Sequence, residues 1–222
     1  MTVARFDTTA IFTPDELAAV RARSDVKGVL CVAHAWAVIA CSMVMYAIWP
    51  NPLTFLVAVA MIGSRQLGLA ILMHDAAHGV LLRTKAWNDP VSDWLAAYPV
   101  FNDTVRYRHY HLVHHRNTQQ KDDPDIALSA PFPITRASFY RKMLRDISGQ
   151  TGFKQRRAQI AAALGKPGEP LSRRIETFRR KLGGPVIANL ILLGILTAFG
   201  KPYYYLMFWL LPLLTWQQVI TR

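Results

Sequence analysis

Four long apolar runs, separated by polar and basic stretches, set the frame of this chain. From Gly28 to Trp49 there is no Asp, Glu, Lys or Arg over 22 residues. As a helix that run would extend about 33 Å, enough to cross a hydrocarbon core of about 30 Å. A helix buried in a soluble core rarely stays uncharged on every face for so long. Trp49-Pro50-Asn51-Pro52 then reads as a turn, and a second apolar run passes from near Leu53 through Met73 into His74. Two more runs follow, Pro185 to Gly200 and Tyr203 to Ile220, joined by Gly200-Lys201-Pro202. The first of these has 16 residues, short for a span, so its start belongs further back, near Leu182. The pattern predicts an all-α protein with membrane spans at about 28–48, 53–73, 183–200 and 203–220.

The stretches between the runs carry their own signals. Thr13, Pro14 and Glu16 predict a capped surface helix over 14–23, inside an N-terminal segment of residues 1–27. Residues 87–101 are amphipathic, broken by Pro90 and Pro99 and too short to span, which suits a membrane interface. Further on, Phe139, Met143 and Ile147 share one helical face, as do Leu171, Ile175, Phe178 and Leu182. Gly165-Lys166-Pro167-Gly168 separates these two stretches as a loop.

Charge orients the scheme. Of a net charge of +12, the segment from Arg136 to Lys181 carries thirteen Lys or Arg against Asp146, Glu169 and Glu176. Such a run suits nucleic acid in a soluble protein. Between membrane spans it reads instead as a cytosolic loop obeying the positive-inside rule, with no nucleic-acid partner. Both chain termini then lie on the cytosolic side with it. Cys31 and Cys41 fall inside the first apolar run and form no disulfide framework or Cys-x-x-Cys motif. Arg65 interrupts the second run, where an isolated cation costs about 2.5–3.5 kcal/mol on insertion scales, so it should face protein rather than lipid.

Six of the seven histidines cluster. His74 and His78 stand i, i+4 at the end of the second span, and His111 stands i, i+3 and i, i+4 from His114 and His115. Helical neighbours at these spacings bring their Cβ atoms to about 5–6 Å. Five imidazoles are therefore expected to converge from two helices at the cytosolic membrane boundary, a donor set that suits iron, zinc, copper or nickel. His34 is isolated in the first span, and His109 lies off the face of its neighbours, so neither joins the candidate ligands.

The boxes His74-Asp75-Ala76-Ala77-His78 and His111-Leu112-Val113-His114-His115, the latter followed by Asp123-Pro124-Asp125, resemble the membrane fatty acid desaturase family. Carotenoid ketolases and hydroxylases are among its members. The resemblance covers about residues 50–222. It implies a four-helix membrane bundle with a cytosolic helical cap over residues 74–182, holding two non-haem irons. His74, His78, His111, His114 and His115 would be metal ligands, with Asp75, Asp123 and Asp125 accepting imidazole N–H bonds. It further implies O2 as oxidant, a lipid or fatty acyl substrate, and an external electron donor such as ferredoxin or cytochrome b5. The activity implied is insertion of a double bond into an acyl chain. The family carries a third histidine box after the fourth span, and no histidine follows His115 here. Two irons need about eight to ten ligand positions. This chain is therefore expected to be C-terminally incomplete, to insert in membranes and to hold little iron alone.

Three other readings fit parts of the pattern. A hydroxylase or ketolase would use the same boxes. A membrane zinc hydrolase would need a nearby general base beside the histidines. A truncated, non-catalytic homologue would account for the missing third box.

Overall fold

The computed structural model describes residues 11–222, so the first ten residues of the expected N-terminal segment lie outside the described residues. Every regular element among the described residues is helical. Helix α1 (Pro14–Arg21) starts with the expected capping box: the Thr13 hydroxyl accepts from the Glu16 N–H at 3.3 Å, and Glu16 accepts from the Thr13 N–H at 2.9 Å. Helices α2 (Asp25–Ile48) and α3 (Pro52–Ala77) form a hairpin. Its turn is fixed by Asn51, whose side-chain oxygen accepts from the N–H groups of Leu53 and Thr54, both at 3.0 Å.

Among the described residues three stretches are long and apolar enough to cross a membrane: Pro14–Ile48, which contains α2, then Pro52–Ala77 and Leu171–Ala198. Each presents two apolar faces. Val32, Ala35, Ile39 and Met43 of α2 are buried, as are Ala58, Ile62, Leu69 and Met73 of α3. Val29, Leu30 and Val44 on α2, and Leu53, Leu56 and Met61 on α3, remain exposed. An outer surface this apolar suits lipid and not water. The third stretch joins α9 (Leu171–Phe178) to α10 (Gly184–Ala198) without interruption, so its start lies well before Leu182. The fourth run is shorter than expected of a span. It forms an apolar helical stretch over Tyr205–Ile220, with α11 (Leu211–Leu214) and α12 (Trp216–Ile220) separated at Thr215, whose φ of −117° and ψ of −84° leave the helical region.

Between the second and third stretches lie α4 (Lys85–Ser92), α5 (Thr104–Asn117), α6 (Ile126–Ser129), α7 (Arg136–Ile147) and α8 (Gln150–Ala163). The expected break at Pro90 does not occur: Pro90 is exposed, and α4 runs through it. The helical path continues to Val100 and stops at Phe101, which adopts a left-handed conformation at φ 61°.

Among the described residues three widened π-type turns recur, at Asp93–Ala97, Arg179–Gly183 and Tyr205–Leu210. Each is followed within two residues by a proline: Pro99, Pro185 and Pro212. A proline ring collides with the carbonyl four residues earlier and offers it no N–H. Those carbonyls belong to Leu95, Lys181 and Phe208, and each lies inside a widened turn. Widening relieves the clash without ending the helix. Leu95, deprived of its backbone donor, accepts from the Trp36 indole at 2.8 Å, and this pins the interfacial segment to α2. In the last widened turn, the Trp209 carbonyl accepts from the buried Gln66 amide at 2.8 Å. Trp36 also stacks on Trp209, with ring centroids 5.5 Å apart. Buried Asn189 completes the lock: its amide donates to the Tyr98 and Pro185 carbonyls, and its oxygen accepts from Tyr205 and Trp209.

Candidate metal centre

Two helix segments deliver the histidines. His74 lies in the last turn of α3 and His78 caps it, while His111, His114 and His115 come from the second half of α5. The start of α5 is fixed by Asp103, which accepts the Arg106 N–H at 2.8 Å, and by Asp93, which accepts the Thr104 N–H at 2.9 Å. The buried Ser92 and Thr104 hydroxyls bond each other at 2.8 Å and tie α5 to α4.

Arg108 sets the spacing between the two segments. Its Nε donates to the Ala77 carbonyl at 2.8 Å and a terminal nitrogen donates to Ala76 at 2.9 Å. Ala77 is an orphan acceptor at the C-terminus of α3, while Ala76 also accepts from the Gly79 N–H at 2.8 Å. The same guanidinium forks onto Asp89, at 2.9 and 2.5 Å. Asn88, buried, donates to the Ala76 carbonyl at 2.9 Å and accepts from the Leu82 N–H. Sequence reasoning missed all three residues, because none shares the histidine spacing. The one available signal was Arg108 in Arg108-His109-Tyr110-His111, on the helix that carries the second box.

Donor nitrogens of His74, His78, His111 and His115 lie within 4.8 Å of one another. The Nε2 atom of His111 sits 3.1 Å from Nε2 of His78 and 2.9 Å from Nε2 of His115. His74 packs edge-on against His78 and His111, with centroids 4.7 and 4.6 Å away. Burial and the positive charge of neighbouring imidazoles hold the buried His111 down at about 4, and the same causes lower His78. Neutral rings keep their lone pairs. Four imidazoles turned toward one point fit a borderline transition metal such as iron, by donor type and by spacing. Tyr107, one turn before His111 on α5, stacks on its ring with centroids 5.0 Å apart and places its hydroxyl 3.4 Å from Nδ1.

The fifth expected histidine stands differently. His114 and His115 are successive residues and so project about 100° apart round α5. His114 Nδ1 lies 2.7 Å from Asp123 Oδ1 and 3.6 Å from Asp125, in a second group separate from the other four rings'. Asp123 is buried and also accepts from the N–H groups of Gln119 and Asp125, both at 2.8 Å. Burial opposes its charge, but the bond with His114 and these backbone donors hold its carboxyl below the usual range. The same bond raises the His114 ring. Asp125 in turn accepts from the Tyr110 hydroxyl at 2.5 Å. Asp75 sits beside its neighbour His74, with Nδ1 to Oδ1 at 3.3 Å. His34 and His109 are exposed and belong to neither group.

Apolar helices ending in paired histidine clusters define a class of membrane protein, and the chain belongs to the fatty acid desaturase family, whose family model matches residues 22–222. Among individual proteins it is similar to dihydrorhizobitoxine desaturase of Bradyrhizobium elkanii, at 36% identity over 107 residues. That match takes in 46% of this chain and 29% of the relative, so the chain covers less than a third of the protein it matches. No solved structure matches it.

Proposed function

We propose that this chain carries two histidine boxes of an O2-dependent di-iron lipid desaturase that inserts a double bond into a fatty acyl chain. The observation that carries this reading is the convergence of His74, His78, His111 and His115 from α3 and α5. Family membership and the desaturase-named relative support it. Residues 28–222 would form the membrane domain, a four-helix bundle with residues 74–182 as a cytosolic cap.

Iron held there would supply the redox chemistry that activates O2 toward an unactivated C–H bond. The protein's share is positional. His111, kept neutral by burial, offers a lone pair where a charged ring would repel a cation. Asp123 fixes the tautomer of His114 by accepting its Nδ1–H, which leaves Nε2 as the donor toward a metal. Asp75 has the same opportunity at His74. Arg108 holds the two boxes in register. Removing two hydrogens while O2 becomes two waters consumes two more electrons and two protons. We assign the electrons to an external donor such as ferredoxin or cytochrome b5.

Fe(II) titration of the purified chain, read without dialysis, tests the ligand set. Changing His74, His78, His111 or His115 singly to Ala should lower Fe(II) affinity at least tenfold, and His114→Ala should do so less sharply. His34→Ala and His109→Ala should leave it unchanged. Equal loss on His34→Ala, or tight zinc with no uptake of iron, would overturn the assignment. In an active preparation, products that carry an added oxygen atom in place of a double bond would replace desaturation with hydroxylation.

A further inference from the structure

A second cavity-lining cation has no role in the histidine cluster. A cavity of about 340 Å³ lies between α3, α8 and the α11–α12 segment, with Ala70, Asn102, Gln155, Arg156 and Gln217 among its walls. Two guanidiniums line it, Arg156 and Arg222. Arg222 is neutralised by buried Asp146, with Nε 2.6 Å from the carboxylate. Among the described residues Arg156 has no carboxylate within ion-pair distance. Its contacts are long bonds from one terminal nitrogen to the Val100 and Phe101 carbonyls, at 3.5 and 3.4 Å, and the face of the Phe101 ring at 5.8 Å. Burial opposes the charge of this guanidinium and lowers its pKa. A partly buried cation bordered by amides and carbonyls is stabilised by an anion that brings its own acceptor oxygens.

We propose that this cavity binds the free carboxylate end of the acyl substrate, with Arg156 as its anchor. Charge count selects the class. One uncompensated guanidinium matches a monoanion, and its planar fork matches the two oxygens of a carboxylate. A multiply charged phosphate ester would leave charge unpaired. The amides of Asn102, Gln155 and Gln217 suit further polar groups near that end. Position links the cavity to the histidines. Ala70 stands i, i+4 from His74 on α3, so the wall lies about 6 Å from the His74 Cβ on the same helical face. Asn102 precedes Asp103, the cap of the helix that carries the second box. Calling the ligand a substrate rests on the oxidative reading above; the anion site itself does not.

Binding to the purified full chain, without added metal, tests the site. Calorimetric titration with hexanoate should saturate, with affinity at least tenfold above that of hexanamide, and inorganic phosphate should not displace it. Arg156→Gln should lower hexanoate affinity at least tenfold, while Arg157→Gln, an exposed neighbour, should not. Arg156 also holds two carbonyls, so Arg156→Lys serves as a second variant that keeps the charge and loses the fork; it should bind hexanoate more weakly than the parent. Equal binding of hexanoate and hexanamide by the parent would overturn the proposal, as would displacement by phosphate. Retained affinity in a folded Arg156→Gln protein would do the same. Fe(II) affinity, measured separately, should be unaffected by Arg156→Gln, so either reading can fail alone.

Discussion

His111 illustrates how a single residue couples chemistry to stability. It is buried, and its ring is held at about 4 against an ordinary value near 6.5. The unfolded chain therefore binds more protons than the folded one between those values, so folded-state stability falls as pH drops through that window. For the metal-free protein the loss from His111 is at most about 3 kcal/mol. Thermal unfolding in detergent should show a melting temperature that declines from pH 7 to pH 5, with a flatter profile for His111→Gln. A parent profile level across that range would contradict the burial argument. At this scale the candidate ligands were legible in advance, because i, i+4 spacing on a helix fixes which side chains are neighbours. The partner that draws His114 aside was named as an acceptor, Asp123. That it separates His114 from the other four rings depended on how residues 118–125 fold back, which spacing does not encode.

Elements are held together here by side chains that satisfy backbone carbonyls. Arg108 does so at the end of α3, and replacing it with Ala strands the Ala77 carbonyl and removes the guanidinium fork from Asp89, while Ala76 keeps its bonds from Gly79 and Asn88. That should cost about 2 kcal/mol. It should also weaken Fe(II) affinity although no ligand is changed, whereas Arg116→Ala, exposed on the same helix, should not. Unfolding curves and Fe(II) titration of both variants check this. Asn189 bridges the three proline-widened segments, so Asn189→Leu leaves the Tyr205 hydroxyl without its partner and costs about 1–3 kcal/mol. Thermal shift of the detergent-solubilised variant measures it. Gly28 shows close approach of another kind: a Cβ there would lie 2.1 Å from the Leu81 carbonyl oxygen, so only glycine lets α2 meet the loop after His78. Periodicity located the apolar runs well. It did not foresee that helices would pass through or beyond their prolines; before Pro99, the freed Leu95 carbonyl is met by an indole from α2, a contact between distant residues.

The whole molecule is an apolar hairpin and a third long helix carrying an amphipathic, basic middle segment. In that segment Phe139 and Ile147 of α7 and Leu171 and Ile175 of α9 are exposed beside many cations. Helices of this kind lie in a membrane interface. We propose from the positive-inside rule that the segment faces the cytosol. Ser148→Cys, in a protein whose Cys31 and Cys41 are replaced, should react with an impermeant maleimide only from the cytosolic side. Labelling from outside intact cells would reverse the topology. By itself the sequence determined the helical class, the three long apolar stretches and the histidines that could meet, because helix length and i, i+4 neighbours are local properties. Only the tertiary structure decided which four rings converge, that the fourth apolar run breaks at Thr215, and that Arg108 binds the end of α3. Each of those outcomes is set by groups distant in the chain competing for the same acceptor or the same space.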